Sequence, residues 1–103
     1  MTNMELTPGL RLRSQVCDTE LIVVRPADVE LTCGGAPVIS HTASPADGLT
    51  LAAGLADGNQ LGKRYTDSAG ALEVLVTKQG SGTLADADRP LHLKQTKPLP
   101  SSD

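Results

Sequence analysis

At 103 residues and 10.7 kDa the chain has room for one ordinary domain or two very small ones. It holds no Phe or Trp and a single Tyr, Tyr65, so burial must come from Leu, Val, Ile and Ala, and stability is expected to lean on internal pairing, oligomerisation or a partner. Nine Lys and Arg against 12 Asp and Glu leave a formal net charge of -3, and with no basic block and no aromatic residues among the cations this argues against nucleic-acid binding.

No apolar run approaches the roughly 20 residues of a membrane-spanning helix. The opening MTNMELTPG lacks both a basic segment and a hydrophobic stretch, so neither a signal peptide nor an anchor is expected. The expected compartment is the cytoplasm, where cysteines are more often metal-binding or redox-active than permanently bridged.

In chain order, Glu20 to Val24 reads ELIVV, a β-branched run that predicts a strand. A Pro-containing turn over residues 25–28 and a short strand from Val29 to Thr32 complete a predicted hairpin, and Cys33, Gly34 and Gly35 form a tight glycine turn after it. Residues 43–59, ASPADGLTLAAGLADGN, begin with Ser44, Pro45 and Asp47 in the order of a helix start, but Gly48 and Gly54 oppose a stable helix. A helical turn or two and a plain linker are both open there. Leu72 to Thr77, LEVLVT, predicts another strand, followed by a turn over residues 79–82, a return strand from Thr83 to Ala85 and a last short strand from Leu91 to Leu93. The tail from Pro98 is expected to be extended or disordered.

A displacement of 53 residues lays Gly9 on Gly62, Arg11 on Arg64, Glu20 on Glu73, Val23 on Val76, Leu31 on Leu84 and Pro37 on Pro90 without a gap. Leu21 on Val74 and Ile22 on Leu75 follow in the same frame. Matches gathered at glycine, proline and core-type positions in one register predict an internal duplication. The expected organisation is a first unit over residues 1–42, a linker over 43–61, a second unit over 62–95 and a tail over 96–103.

Cys17 and Cys33, 16 positions apart, flank the first predicted hairpin. The stretch RSQVCDTELIVVRPADVELTCGGAPV that contains them resembles desulforedoxin and the N-terminal domain of desulfoferrodoxin, whose pattern is a CxxC knuckle, a hairpin, then adjacent cysteines followed by glycine. Cys17 takes the second ligand position and Cys33 the third, while Ser14 and Gly34 occupy the first and fourth. In the second unit LGKRYTDSAGALEVLVTKQGSGTLADADRPL resembles the same pattern with Asp67, Gly70, Asp86 and Ala87 at the four positions. The resemblance implies a mostly β fold of two tandem rubredoxin-type or desulforedoxin-like hairpin units joined by an Ala/Gly/Asp-rich linker. It implies close sulfurs for Cys17 and Cys33. It implies no thiolate site in the second unit, since six of the eight ligand positions have lost their cysteine.

Three readings of the cysteine pair stay open: a disulfide or reversible dithiol, a zinc or iron site completed by His41, Ser14 or a second chain's cysteines, or two small buried apolar side chains left from an ancestral site. No cofactor is the first expectation, with zinc or iron at Cys17 and Cys33 the alternative. His92, between Leu91 and Leu93, reads as an outward-facing strand residue and His41 as a loop residue. Asp47, Asp57, Asp86 and Asp88 lack the ligand spacing of a calcium loop. With no triad, phosphate loop or catalytic carboxylate pair, an enzyme is not expected. Two functions follow. One is a non-catalytic accessory or structural subunit that docks on a larger protein, or assembles with its own copies, through a degenerate scaffold. The other is a small redox, electron-transfer or metal-binding protein that uses Cys17 and Cys33, within one chain or across a dimer.

Overall fold

Apolar, β-branched runs mark the longest strands, and the computed structural model, which describes residues 6–94, places the strands at 53-residue intervals. In the first half they are β1 (Arg11–Arg13), β2 (Glu20–Arg25), β3 (Leu31–Cys33), β4 (Ala36–Pro37) and β5 (Ile39–Ser40). In the second half they are β6 (Arg64–Thr66), β7 (Glu73–Lys78), β8 (Leu84–Asp86), β9 (Arg89–Pro90) and β10 (His92–Leu93). Each second-half strand has the bounds of its first-half counterpart shifted by the same amount. The tail expected to be extended from Pro98 lies outside the described residues.

The strands build two antiparallel sheets, one ordered β10-β6-β7-β2-β1-β5 and the other β4-β3-β8-β9. Both orders read the same from either end once the halves are exchanged. At the centre of the larger sheet Ile22 faces Leu75, its own counterpart, while Leu21 faces Val76 and Val23 faces Val74. In the smaller sheet Thr32 faces Ala85, with Leu31 opposite Asp86 and Cys33 opposite Leu84. The halves are therefore related by an approximate two-fold at these two pairs, and the strands at both centres cross from one half to the other.

This pairing corrects the hairpin expected within each half. β2 and β3 are not partners: β2 lies between β1 and β7, and β3 between β4 and β8. Pro26 has no amide proton with which to extend the β2 ladder, and the Val29 amide donates to Ala27 O at 2.9 Å in a tight turn that redirects the chain into the other sheet. The equivalent strands of the second half, β7 and β8, are separated in the same way.

One core serves both sheets. Leu12, Leu21, Val23, Tyr65, Leu72, Val74 and Val76 come from the larger sheet and its approaches, Leu31, Cys33 and Leu84 from the smaller, with Val29, Val38 and Leu91 filling the turns. Tyr65 is buried in it and its hydroxyl accepts from the Gln60 amide at 2.9 Å, which satisfies the polar end of the chain's one aromatic residue. The outer strands of the smaller sheet each carry a proline, Pro37 and Pro90, which blunts those edges.

No helix starts at Ser44; the one helical turn among the described residues is a 3-10 turn at Ala53–Leu55. The segment around it is fastened to both halves. Ala52 N donates to Gly34 O at 2.9 Å, Thr83 N to Leu55 O at 2.8 Å, Asp57 N to Thr83 Oγ1 at 2.9 Å and Asn59 N to Gly80 O at 3.2 Å. What reads in sequence as a linker is a strap across the end of the molecule that carries the cysteines.

Candidate functional site: two thiols beneath a glycine cap

Ser14 follows β1 and is fully buried. Its amide donates to Thr19 O at 2.9 Å, closing the loop from 14 to 19, and its Oγ accepts from the amides of Val16 (3.1 Å) and Cys17 (3.2 Å). This loop fixes Cys17. Cys33 ends β3 and is followed by Gly34 and Gly35, both in the left-handed region at φ 66 and 92. The Cys17 and Cys33 sulfurs lie 3.7 Å apart, and both thiols are free.

Their environments differ. Cys17 is partly exposed, and its sulfur lies 3.3 Å from Ser14 Oγ and 3.2 Å from Thr19 Oγ1, while the Gly82 amide donates to it at 3.3 Å. Burial pushes its pKa up, but the Ser14, Thr19 and Gly82 hydrogen bonds outweigh burial and bring it down to about 7. Cys33 is fully buried. Burial first, and the negative charge of Cys17 second, push its thiol up to about 12.

The cover comes from the other half. Residues 79–82, between β7 and β8, pass directly over the sulfurs. A Cβ added to Gly82 would lie 2.8 Å from Cys33 Sγ, 2.9 Å from Gly34 N and 3.1 Å from Cys17 Sγ; one added to Gly80 would lie 2.5 Å from Thr19 Oγ1 and 3.0 Å from Cys17 Sγ. Only glycine fits at either position. Asn59 of the strap locks this cap: its Nδ2 donates to Gly82 O (2.8 Å) and Thr19 Oγ1 (2.7 Å), and its Oδ1 accepts from Gly80 N (3.2 Å).

The residues singled out in the sequence divide accordingly. Ser14, Cys17 and Cys33 are brought together; Gly34 supplies a left-handed turn beside them. In the second half Asp67 plays the part of Ser14, its Oδ1 accepting from the amides of Ala71 (2.8 Å) and Leu72 (3.0 Å). Asp86 accepts from Glu30 N and pairs with Arg89 at 3.1 Å, and Ala87 takes the left-handed conformation of Gly34 at φ 58. Asp67 is thus occupied by its own loop, and Asp86 by Arg89 of its own turn and the Glu30 amide of the first half. His41 and His92 are exposed, His92 on the edge strand β10. Thr19, Asn59, Gly80 and Gly82 were missed as site residues. Their signal was an asymmetry, since Gly80 and Gly82 stand where the first half has Ala27 and Val29.

A four-thiolate iron or zinc centre does not fit this donor set. Beside the two sulfurs stand the hydroxyls of Ser14 and Thr19, which are poor ligands for a thiophilic metal, and no group of three or more His, Cys, Asp or Glu gathers among the described residues. Cys33, closed over by Gly82, has no free side to offer a second chain's thiolates. Comparisons of the chain with protein-family models, with curated proteins and with solved structures gave no match in any of the three. What is in hand is a small, mostly β protein of two antiparallel sheets, in which no helix among the described residues is long and apolar enough to cross a membrane.

Proposed function

We propose that the chain is a small dithiol–disulfide redox protein in which Cys17 is the reactive thiol and Cys33 the resolving one, carried on a duplicated, desulforedoxin-like scaffold that has exchanged its metal ligands for a thiol pair. The observation that carries this reading is the 3.7 Å separation of two free sulfurs with opposite surroundings, one partly exposed and hydrogen-bonded toward its thiolate, the other buried and held protonated. Thiol–disulfide chemistry uses such a pair, because attack needs a thiolate at ambient pH and resolution needs a second sulfur within reach. A rotation that closes the gap to the roughly 2 Å of a disulfide bond is all that oxidation asks of the side chains. The protein is read as a redox module acting where thiols are kept reduced, as in the cytoplasm.

Intact mass under denaturing conditions tests it. Treatment with diamide, which takes two electrons and two protons from a dithiol, should remove two hydrogens from the native chain, dithiothreitol should restore them, and Cys17→Ser should abolish the change. A native chain that stays fully reduced under diamide would sink the proposal.

Docking on a larger protein is a second reading, favoured by the exposed Leu93 on edge strand β10 and the exposed Leu61 near the start of the second half. Size-exclusion of protein from its own host checks it, since migration as a lone 10.7 kDa monomer would count against docking and against assembly with its own copies.

A further inference from the structure

Three features confine the chemistry that can reach Cys17. Its sulfur is in contact with Ser14, Thr19, Cys33 and the Gly82 amide of the cap, and a Cβ added at Gly80 would lie only 3.0 Å from it. Asn59 Nδ2 donates to Thr19 Oγ1 at 2.7 Å and leaves the Thr19 hydroxyl proton free, and toward the Cys17 thiolate, which can only accept, that proton is directed at Sγ, 3.2 Å away. The cap itself is held by the strap through two hydrogen bonds of the Asn59 side chain, to Gly82 O and from Gly80 N, and one from its backbone amide to Gly80 O, so it does not swing aside without breaking them.

Exchange with an external disulfide demands three sulfurs in line, each outer one bearing its chain, over an attacking atom that is already hemmed in. A hydroperoxide demands only that one oxygen reach the exposed side of the sulfur. We propose, resting on the dithiol reading, that the oxidant received at Cys17 is a small hydroperoxide, with Thr19 and Asn59 as positioning residues. The Cys17 thiolate attacks one peroxide oxygen; the S–O bond forms as the O–O bond breaks, and the second oxygen leaves with the bonding pair, takes a proton and departs as water or an alcohol. Cys17 is now a sulfenic acid. The Cys33 sulfur gives up its proton and attacks the Cys17 sulfur, the S–S bond forms, the S–O bond breaks, and the oxygen leaves as water. Two thiols and one hydroperoxide thus yield a disulfide, water and one further water or alcohol.

The oxidation rate of the full chain, read by intact mass, should be at least about tenfold greater with hydrogen peroxide than with the same concentration of oxidised glutathione. Cys33→Ser, or Cys33→Ala if the serine variant does not fold, should trap a dimedone-reactive sulfenic acid on Cys17. Thr19→Val should slow the peroxide step about tenfold at pH 7 and move its pH midpoint upward, with Thr19→Ser restoring both. Oxidised glutathione acting as fast as peroxide, or no sulfenic acid in either Cys33 variant, would overturn the proposal and leave the dithiol reading standing. An unchanged pH profile in Thr19→Val would remove Thr19 and Asn59 from it. If neither oxidant nor diamide joins the sulfurs, both readings fall together.

Discussion

Two thiols 3.7 Å apart can differ in acidity only if their surroundings differ, and at Cys17 and Cys33 the difference comes from donors on one side and burial on the other. Cys17 has a native pKa depressed from the ordinary thiol value near 8.5 to about 7, so its thiolate contributes stability that is present above the unfolded value and lost as pH falls through about 7. Cys33 has the opposite sign. Iodoacetamide should therefore label native reduced protein at Cys17 alone, with a rate that rises through a midpoint near pH 7; labelling of both at equal rates would contradict the asymmetry. Gly82→Ala belongs to the same scale. A methyl group 2.8 Å from Cys33 Sγ and 2.9 Å from Gly34 N has no flexible neighbour to displace, and overpacking of this kind typically costs about 1–3 kcal/mol, measurable by urea denaturation. Gly54→Ala, where an added Cβ meets nothing within 4 Å, is the control.

At the scale of elements, β7 is held to its neighbours by a buried acid. Glu73, its first residue, pairs with Arg64 of β6 at 3.0 Å and with Lys94 just beyond β10, which ties three neighbouring strands at one end of the larger sheet. The Lys94 hydrogen bond chiefly, with the Lys94 and Arg64 charges, holds the Glu73 carboxyl below its ordinary range against the effect of burial. Its contribution is therefore present above about pH 4.3, the unfolded value, and lost as pH falls through the lower native one. Glu73→Gln should flatten that part of the acid limb of a stability-versus-pH curve, and a curve that coincides with the native one below pH 5 would refute the assignment. The counterpart Glu20 forms no ion pair among the described residues, so the same change there should leave the limb in place.

For the whole molecule the decisive fact is that strands β2 and β7, and β3 and β8, join the halves at the centre of each sheet. Taken alone, each half would leave its central strands, β2 and β3 or β7 and β8, unpaired along one edge. Leu12→Ala in the first half and Leu72→Ala in the second, both fully buried, should each lower stability by about 2–5 kcal/mol and shift one shared unfolding transition. Two separate calorimetric transitions would show that the halves fold as independent units.

Strands were legible where β-branched and apolar residues run together: ELIVV lies in β2 and LEVLVT covers most of β7, and the spacing of 53 read from glycines, prolines and core residues is also the spacing of all five strand pairs. The short strands β1, β4, β5, β6 and β9 were not legible, because two or three residues carry no periodicity and form only when a longer neighbour offers them a ladder. The closeness of Cys17 and Cys33 beside Ser14 was expected from the resemblance, but no β2–β3 hairpin brings them there, since those strands belong to different sheets. Only the tertiary structure decided which strands pair, because an apolar strand face gains as much from a partner 53 residues away as from one beyond the next turn, and Pro26 with the turn at Val29 closes the nearer choice. It alone decided the character of the thiols as well. Thr19, Asn59, Gly80 and Gly82 come from three separate stretches of chain, and a thiol's acidity depends on the donors and the burial they bring together, which sequence adjacency does not record.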